Sequence, residues 1–171
     1  MVNREIMLAV LKEHTFPLLK EHGFTGKYPN FRRKLDNCIE LISFQTNKRS
    51  GSFTIEVSAV FPGSVDPNYT LYEGVTEDTF GVEATSKRYR LPGMYDGWFY
   101  YRDIYRKRTL VFGSIYYDVP EKEAATFIPT KGYKLVQKFD QNTAVQICAE
   151  INKQLETAYR WHNNFEKRNS K

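Results

Sequence analysis

The amino-acid sequence predicts an α+β domain in which a mostly antiparallel β-sheet is packed against an N-terminal helix and a long C-terminal helix. Apolar residues recur at helical spacing near both ends of the chain, and alternating strand patterns fill the middle. No linker, repeat or low-complexity segment divides the 171 residues. We therefore expect a single domain over residues 1–171, which is long enough to bury its own core.

The first helix is predicted from about residue 3 to residue 22, where one apolar stripe follows alternating steps of four and three. The stripe consists of Met7, Leu11, His14 and Leu18. Pro17 cannot donate a hydrogen bond to the carbonyl four residues earlier, so we expect either a kink or a fresh helical start capped by Thr15. Gly23 followed by Phe24 predicts a Schellman ending.

The middle of the chain is predicted to be rich in β-strands. Residues 31–45 favour a strand entering a covered sheet, and SFTIEVSAVF alternates strictly, as a half-buried strand does. The connection NKRSGS suits a short hairpin loop, so these two strands should pair antiparallel. A long loop is expected from Pro62 to Ser86. Strand signals then return in KRYRL, in WFYYRDIY and in TLVFGSIYYDV, and the turn PGMYDG would join the first two as a hairpin.

A second long helix is predicted after Asp140 or Asn142, either of which can serve as the N-cap. Its apolar stripe again follows steps of four and three. The stripe consists of Ala144, Cys148, Ile151, Leu155, Ala158, His162 and Phe165. We expect both terminal helices to cover one face of the sheet.

Charge is distributed unevenly along the chain. The net charge is +5, but the segment from Pro62 to Ser86 has five acids and no Lys or Arg, so the remainder has 25 bases and 15 acids. Such a basic body can attract a polyanion or an acidic partner, and the acidic loop could equally fold back over it. A well-solvated surface is the ordinary alternative.

The apolar run from Ile6 to Leu11 is too short for a signal peptide or a membrane span, so a cytoplasmic protein that does not enter a membrane is the default expectation. Cys38 and Cys148 lie in apolar patterns and are expected to be buried free thiols.

No group of residues in the sequence indicates a reaction, so we expect no catalytic residues, no metal site and no cofactor. His14 and His162 lie on the apolar stripes of helices, where packing roles are expected. Of the possible metal ligands, only His162 and Glu166 stand at helical spacing, and no glycine-rich phosphate loop is present. Whether the protein is an enzyme stays open, with a non-enzyme favoured. A hydrolase using Glu40 and Glu56 on adjacent strands is one alternative.

A basic and aromatic group is the candidate binding site. Alternation puts Arg88 and Arg90 on one face of their strand, and Trp98, Tyr100 and Arg102 on one face of theirs. If the two strands form a hairpin, these five side chains would make a platform for stacking and charge pairing. The competing interpretation is that the aromatic residues fill the core.

Several segments in order resemble the bacterial domain-of-unknown-function family numbered 4304. They are LLKEHGF, FRRK, IELISFQTNK, SFTIEVSAVF, KRYRLP and DGWFYY. The resemblance covers roughly Leu18 to Tyr101. It implies signature positions at Gly23, Phe24, Gln45, Arg88, Asp96, Trp98 and Phe99. Phe99 stands where the family often has Trp, and the acidic loop is longer than usual. The resemblance carries no established activity.

The sequence therefore favours an uncharacterised bacterial module without catalytic activity that binds a protein partner, as accessory and immunity proteins do. A nucleic-acid-binding domain that uses the basic and aromatic surface is the main alternative. The sequence does not decide the oligomeric state.

Overall fold

The computed structural model describes residues 2–47, 50–61, 65, 79–85, 87–93, 97–111, 114–118 and 133–169. Its helices are α1 (Val2–His14), α2 (Phe16–Glu21) and α3 (Gln141–Asn169). Its strands are β1 (Thr25–Lys27), β2 (Asn30–Lys34), β3 (Ile39–Asn47), β4 (Ser52–Val60), β5 (Arg88–Arg90), β6 (Phe99–Tyr100), β7 (Ile104–Val111), β8 (Ser114–Asp118) and β9 (Tyr133–Gln137). A short 3-10 turn, Val82–Ala84, precedes β5. The predicted α+β class and the predicted order of helix, antiparallel strands and helix are confirmed.

The strands form two antiparallel sheets. The larger sheet has the order β1-β2-β3-β4-β5, and β6 pairs with β4 beside β5. The smaller sheet has the order β8-β7-β9. The predicted antiparallel pairing of β3 and β4 is confirmed, and Gly51 in their connection has a φ of +61°. The sequence did not predict β1 or β9, and neither short strand has a long alternating pattern.

The predicted hairpin between KRYRL and WFYYRDIY is wrong. β5 pairs with residues 56–58 of β4, and β6 pairs with residues 52–53 of the same strand. Both are antiparallel to β4, so β5 and β6 run in the same direction and act as two pieces of one interrupted strand. The backbone bonds of both pieces are made to β4 rather than to each other.

Two other strand predictions change in the structure. Residues 31–45 form parts of two strands, since a reversal at residues 35–38 separates β2 from β3 and Leu35 N donates to Cys38 O at 2.9 Å. The segment TLVFGSIYYDV also divides, because residues 107–111 of β7 pair with residues 114–118 of β8.

The N-terminal helical segment breaks where Pro17 predicted. α1 ends at His14 and α2 begins at Phe16, with Thr15 between them as the N-cap residue. The predicted side-chain cap is not formed. Gly23, with a φ of +81°, follows the end of α2, and Phe24 N donates to Leu19 O at 2.9 Å. Gly23 N donates to Lys20 O at 2.9 Å, which completes the predicted Schellman ending.

The larger sheet has two chemically different faces. One face carries apolar residues that pack against α1, α2 and α3, and we call it the helix face. Its core consists of Phe31, Ile42, Phe44, Phe53, Ile55, Val57 and Phe99. We call the opposite face the polar face. It carries Ser43, Gln45, Ser52, Thr54, Glu56, Ser58, Arg88, Arg90 and Tyr100, beside a small apolar cluster that includes Ile39, Leu41 and Val60.

The C-terminal helix closes the helix face. Asp140 Oδ1 accepts a hydrogen bond from Thr143 N at 2.9 Å, so Asp140 is the N-cap of α3. The predicted stripe from Ala144 to His162 is buried, while the side chain of Phe165 lies outside the described residues. Asn152 Nδ2 donates to His14 O at 3.0 Å, which joins α3 to the end of α1. The prediction that both terminal helices cover one sheet face is confirmed.

Most of the predicted acidic loop from Pro62 to Ser86 lies outside the described residues, apart from residue 65 and residues 79–85. None of the described helices combines the length and the hydropathy that a membrane-spanning segment needs.

Candidate functional site

Strand register brings the predicted arginines together on the polar face. Arg90 lies opposite Glu56, Arg88 opposite Ser58, and Tyr100 opposite Ser52. Residues directly opposite in an antiparallel pair share a face, and positions 52, 56 and 58 of β4 point the same way. Three of the five predicted site residues therefore share one face of the sheet, through their common neighbour β4.

Glu56 organises the arginines of β5. Arg90 Nη2 and Nε donate to Glu56 Oε1 at 2.7 and 3.2 Å, and Arg88 Nη1 donates to Oε2 at 3.4 Å. Gln45 Nε2 donates to the same Oε2 at 3.0 Å. We call these four residues, Gln45, Glu56, Arg88 and Arg90, the Glu56 cluster. Its carboxylate is satisfied on both oxygens by charge-assisted bonds, which are the stronger kind.

The Glu56 cluster is buried on its acidic side and exposed on its basic side. The Glu56 side chain is 8% exposed, whereas those of Arg88 and Arg90 are 43% and 48% exposed. Two guanidinium groups face one carboxylate, so the Glu56 cluster, counted over its four described residues, has a net charge of +1. The alternation predicted for KRYRL holds here, because Tyr89 points to the other face and stacks on Trp161 of α3 at 6.3 Å.

Tyr100 of β6 and Arg102 are buried; Arg102 lies in a bend between β6 and β7, so the strand predicted for WFYYRDIY is interrupted there. Tyr100 and Arg102 are each 7% exposed, and Arg102 Cζ lies 4.9 Å from the centre of the Tyr100 ring. Gln137 Nε2 donates to the carbonyl oxygens of both residues at 3.0 Å. Arg102 also packs on the turn between β3 and β4, since a Cβ atom added to Gly51 would lie 3.5 Å from Arg102 Cδ. Tyr100 and Arg102 thus pack inside the protein beside β4, whereas the side chains of Arg88 and Arg90 are accessible to solvent.

Trp98 is half-buried just before β6. The preceding Gly97 has a φ of +83°, and a Cβ atom there would lie 3.3 Å from Arg90 Cδ. The chain at residues 97–98 therefore lies beside the Glu56 cluster. The next aromatics alternate as predicted, because Phe99 and Tyr101 both contact Phe53 on the helix face at 5.4 and 6.2 Å.

A second charged group lies buried on the helix face. Arg33 Nε donates to Glu40 Oε2 at 2.6 Å, and the Glu40 side chain is 1% exposed. His162 Nε2 donates to Ser58 O at 3.1 Å, since a carbonyl oxygen only accepts, and its Nδ1 lies 3.8 Å from Glu40 Oε1. Burial lowers the pKa of His162 below its ordinary value, while the neighbouring Glu40 acts in the opposite direction.

Glu40 and Glu56 do not form a catalytic pair. Glu40 lies opposite Ala59, and Glu56 lies opposite Ser43. Positions 40 and 43 of β3 point to opposite faces, so the two carboxylates are separated by the sheet itself. The predicted hydrolase site from these two residues is therefore wrong. The sequence could not reveal this, because the relative facing of two strands depends on their register.

The other titratable residues have structural surroundings. His162 is buried in the packing role predicted for it, but His14 is exposed at the end of α1, 3.8 Å from Glu13. Cys38 and Cys148 are buried free thiols, as predicted. Burial raises the pKa of Cys148 to about 11, which keeps the thiol protonated and poorly nucleophilic at neutral pH. No group of three or more metal-ligating side chains occurs among the described residues.

Sequence reasoning missed the role of Gln45 in holding Glu56, although the family resemblance had marked that position. It also missed three lysines around a cavity between the first helices and β1–β2. Their signal was present in the sequence, because Leu8, Lys12, Phe16 and Lys20 follow one another at steps of four. Asp96, another position marked by the resemblance, lies outside the described residues.

No curated protein and no solved structure shows significant similarity to this chain. Residues 15–77 match the family described as a domain of unknown function, DUF4304. This segment contains α2 and the four strands from β1 to β4, including Gly23, Phe24, Gln45 and Glu56. The resemblance drawn from the sequence is thereby confirmed over residues 15–77, which are similar to a family without an assigned function.

Proposed function

We propose that this chain, acting as one domain over residues 1–171, is a non-catalytic module that binds an acidic protein partner at β5. The observation that carries the proposal is the Glu56 cluster. It holds Arg88 and Arg90 by a buried carboxylate and leaves nearly half of each arginine side chain exposed. Arginines fixed in this way lose little conformational freedom on binding, and Arg is enriched among the residues that dominate protein interfaces.

The position of β5 supports a protein partner. β5 is the last strand in the order of the larger sheet, and its outer side has no paired strand among the described residues. An exposed sheet edge can accept an extended segment through backbone hydrogen bonds, with side chains supplying specificity. A segment with Asp or Glu opposite Arg88 and Arg90 would meet the net positive charge of the Glu56 cluster.

The other predicted residues fit this proposal in different roles. Half-buried Trp98, which follows the Gly97 that lies against Arg90, would add apolar contact area. Tyr100 and Arg102 would support the edge from inside. The buried free thiols are compatible with a reducing compartment, so we place the function in the bacterial cytoplasm as part of the proposal.

The test compares two variants that lose the same charge. Arg88→Gln/Arg90→Gln removes the exposed arginines, whereas Lys134→Gln/Lys138→Gln removes two exposed lysines in and just after β9. Affinity capture from nuclease-treated lysate, quantified by mass spectrometry, is expected to retain a common protein on the parent and the lysine variant and to lose it on the arginine variant. Because Arg88→Gln/Arg90→Gln leaves the buried Glu56 without its two ionic partners, circular dichroism must first show that both variants are folded at the temperature of the capture.

Two other outcomes would count against a protein partner at β5. Identical captured proteins on all three baits would contradict binding at β5. Titration of labelled random-sequence DNA over a salt series examines the nucleic-acid alternative. Binding that weakens steeply with salt in the parent, and equally in both variants, would favour a diffuse basic surface over a specific protein site.

A further inference from the structure

A cavity of about 490 Å³ lies between the first two helices and the β1–β2 hairpin and shares no lining residue with the Glu56 cluster. One wall comes from α1 and α2, and the other from the hairpin. The lining residues are Leu8, Lys12, Phe16, Pro17, Lys20, Gly26, Lys27, Tyr28 and Phe31. This volume lies within the usual range for small-molecule pockets, about 300 to 1,000 Å³.

Three aromatic rings form a continuous apolar wall of this cavity. The Phe16 ring lies 5.0 Å from the Phe31 ring and 6.0 Å from the Tyr28 ring, centre to centre. All three rings also lie within 5.8 to 6.0 Å of Phe44 in the core, which fixes their positions. The Tyr28 hydroxyl is already hydrogen-bonded to Thr46 Oγ1 at 2.7 Å. The wall therefore presents apolar ring surface to the cavity, because its one polar side-chain atom, the Tyr28 hydroxyl, is hydrogen-bonded to Thr46.

The charge around the cavity has one sign. Lys12, Lys20 and Lys27 are exposed residues of the lining, and none of the described residues that line the cavity is acidic. None of the three ammonium groups has an ion pair within the part of the chain that the structure describes. Lysine stems lie readily along apolar surface while their charged ends reach solvent. An apolar wall of aromatic rings with three cations at its edge is complementary to a molecule that has an apolar body and one acidic group.

We infer that this cavity binds a small organic carboxylate with an aryl or acyl body. The body packs against the ring wall, and the carboxylate lies among the three lysines. Nothing in the lining supplies the amide or carboxylate side chains that would read a nucleobase edge, so a purely apolar body fits better than a nucleotide. The site uses residues of α1, α2 and β1–β2 and is independent of the proposed partner surface at β5.

The test titrates the full chain with 2-naphthoate and, separately, with decanoate, using calorimetry for affinity and amide chemical shifts for location. At least one probe is expected to bind with a Kd below about 1 mM. The shifts are expected to centre on residues 8–31. Naphthoate binding without decanoate binding identifies an aryl ligand, and the reverse result identifies an acyl ligand. Neutral 2-naphthamide serves as the uncharged control and is expected to bind more weakly than naphthoate.

Variants separate the two parts of the site. Each of Lys12→Gln, Lys20→Gln and Lys27→Gln is expected to weaken binding by about twofold to fivefold, as the loss of one exposed charge contact does. Leu8→Trp fills the cavity and is expected to abolish binding. Lys134→Gln removes an exposed lysine of β9 and is expected to leave the affinity unchanged.

Three results would overturn the inference. They are no binding of either probe at millimolar concentration, equal affinity of the parent for 2-naphthoate and 2-naphthamide, or unchanged affinity in the three lysine variants. The lysine variants keep the test decisive if Leu8→Trp fails to fold, since exposed lysines contribute little to the core.

Discussion

The two faces of the central strand β4 are both buried, yet they differ in chemistry. On the helix face, Phe53, Ile55 and Val57 pack against helices and aromatic rings. On the polar face, Ser52, Thr54, Glu56 and Ser58 are equally inaccessible to solvent. Apolar burial accounts for stability on the first face. Polar groups on the second face lose their hydrogen bonds to water when the chain folds. Hydrogen bonds within the protein, such as those of the Glu56 cluster, offset that loss. The comparison separates the face that holds the fold together from the face that positions charge.

The largest expected effect concerns the helix face. Phe53→Ala removes a ring that contacts Phe44, Phe99 and Tyr101, and we expect it to reduce the free energy of unfolding by about 3 to 5 kcal/mol. Ser58→Ala, on the polar face of the same strand, removes a buried hydroxyl that makes no hydrogen bond to any residue the structure describes. That change is expected to be neutral or stabilising. Urea denaturation measures both, and a larger loss for Ser58→Ala would reverse the assignment of the faces.

A smaller effect is expected in the Glu56 cluster. Glu56→Gln removes the charge that pairs with Arg88 and Arg90, and we expect a loss of about 1 to 3 kcal/mol in unfolding free energy. The loss stays moderate because both arginines are exposed enough to be rehydrated. Glu21→Gln, at an exposed position of α2, is the matched control and should change stability by less than about 0.5 kcal/mol. Equal effects of the two variants would show that the cluster does not contribute to stability.

The smallest effect concerns pH and the buried His162. Its folded-state pKa is lowered, chiefly by burial, so the unfolded chain takes up a proton at a higher pH than the folded chain. The stability due to neutral His162 is fully present above the ordinary histidine pKa of about 6.5 and is lost as the pH falls through the lower folded pKa. Glu40, which faces His162 beside Arg33, reduces this loss because it favours the imidazolium.

Urea midpoints at pH 7 and pH 5.5 measure this pH effect. His162→Gln is expected to reduce the loss of stability at the lower pH, whereas His14→Gln, at an exposed site, should leave it unchanged. An unchanged loss in the His162 variant would assign the pH dependence to other groups.

The sequence predicted those features that depend on local patterns. Gly23 with Phe24, the break before Pro17 and the stripe of α3 each follow from residues within a few turns of one another. The pairing of β5 and β6 with β4 was not predictable in this way, because strand order depends on contacts between distant segments. The candidate site also has one part that follows from a local pattern and one part that depends on contacts between distant segments. Alternation placed Arg88 and Arg90 together, but only the register of β4 revealed that Glu56 holds them.

The hydrogen bond between Asn152 and His14 O has a consequence for the order of folding. It joins residues 138 positions apart, and the side chains of α3 complete the core beneath β3 and β4. Contacts of such long range slow folding, because the chain must close a large loop before it gains them. During synthesis, α1 and strands β1–β4 leave the ribosome long before α3 exists. Because the chain is synthesised at about 5 to 20 residues per second, α3 follows several seconds later, and the apolar helix face is uncovered until then. During that interval a chaperone has access to surface that the finished protein never displays.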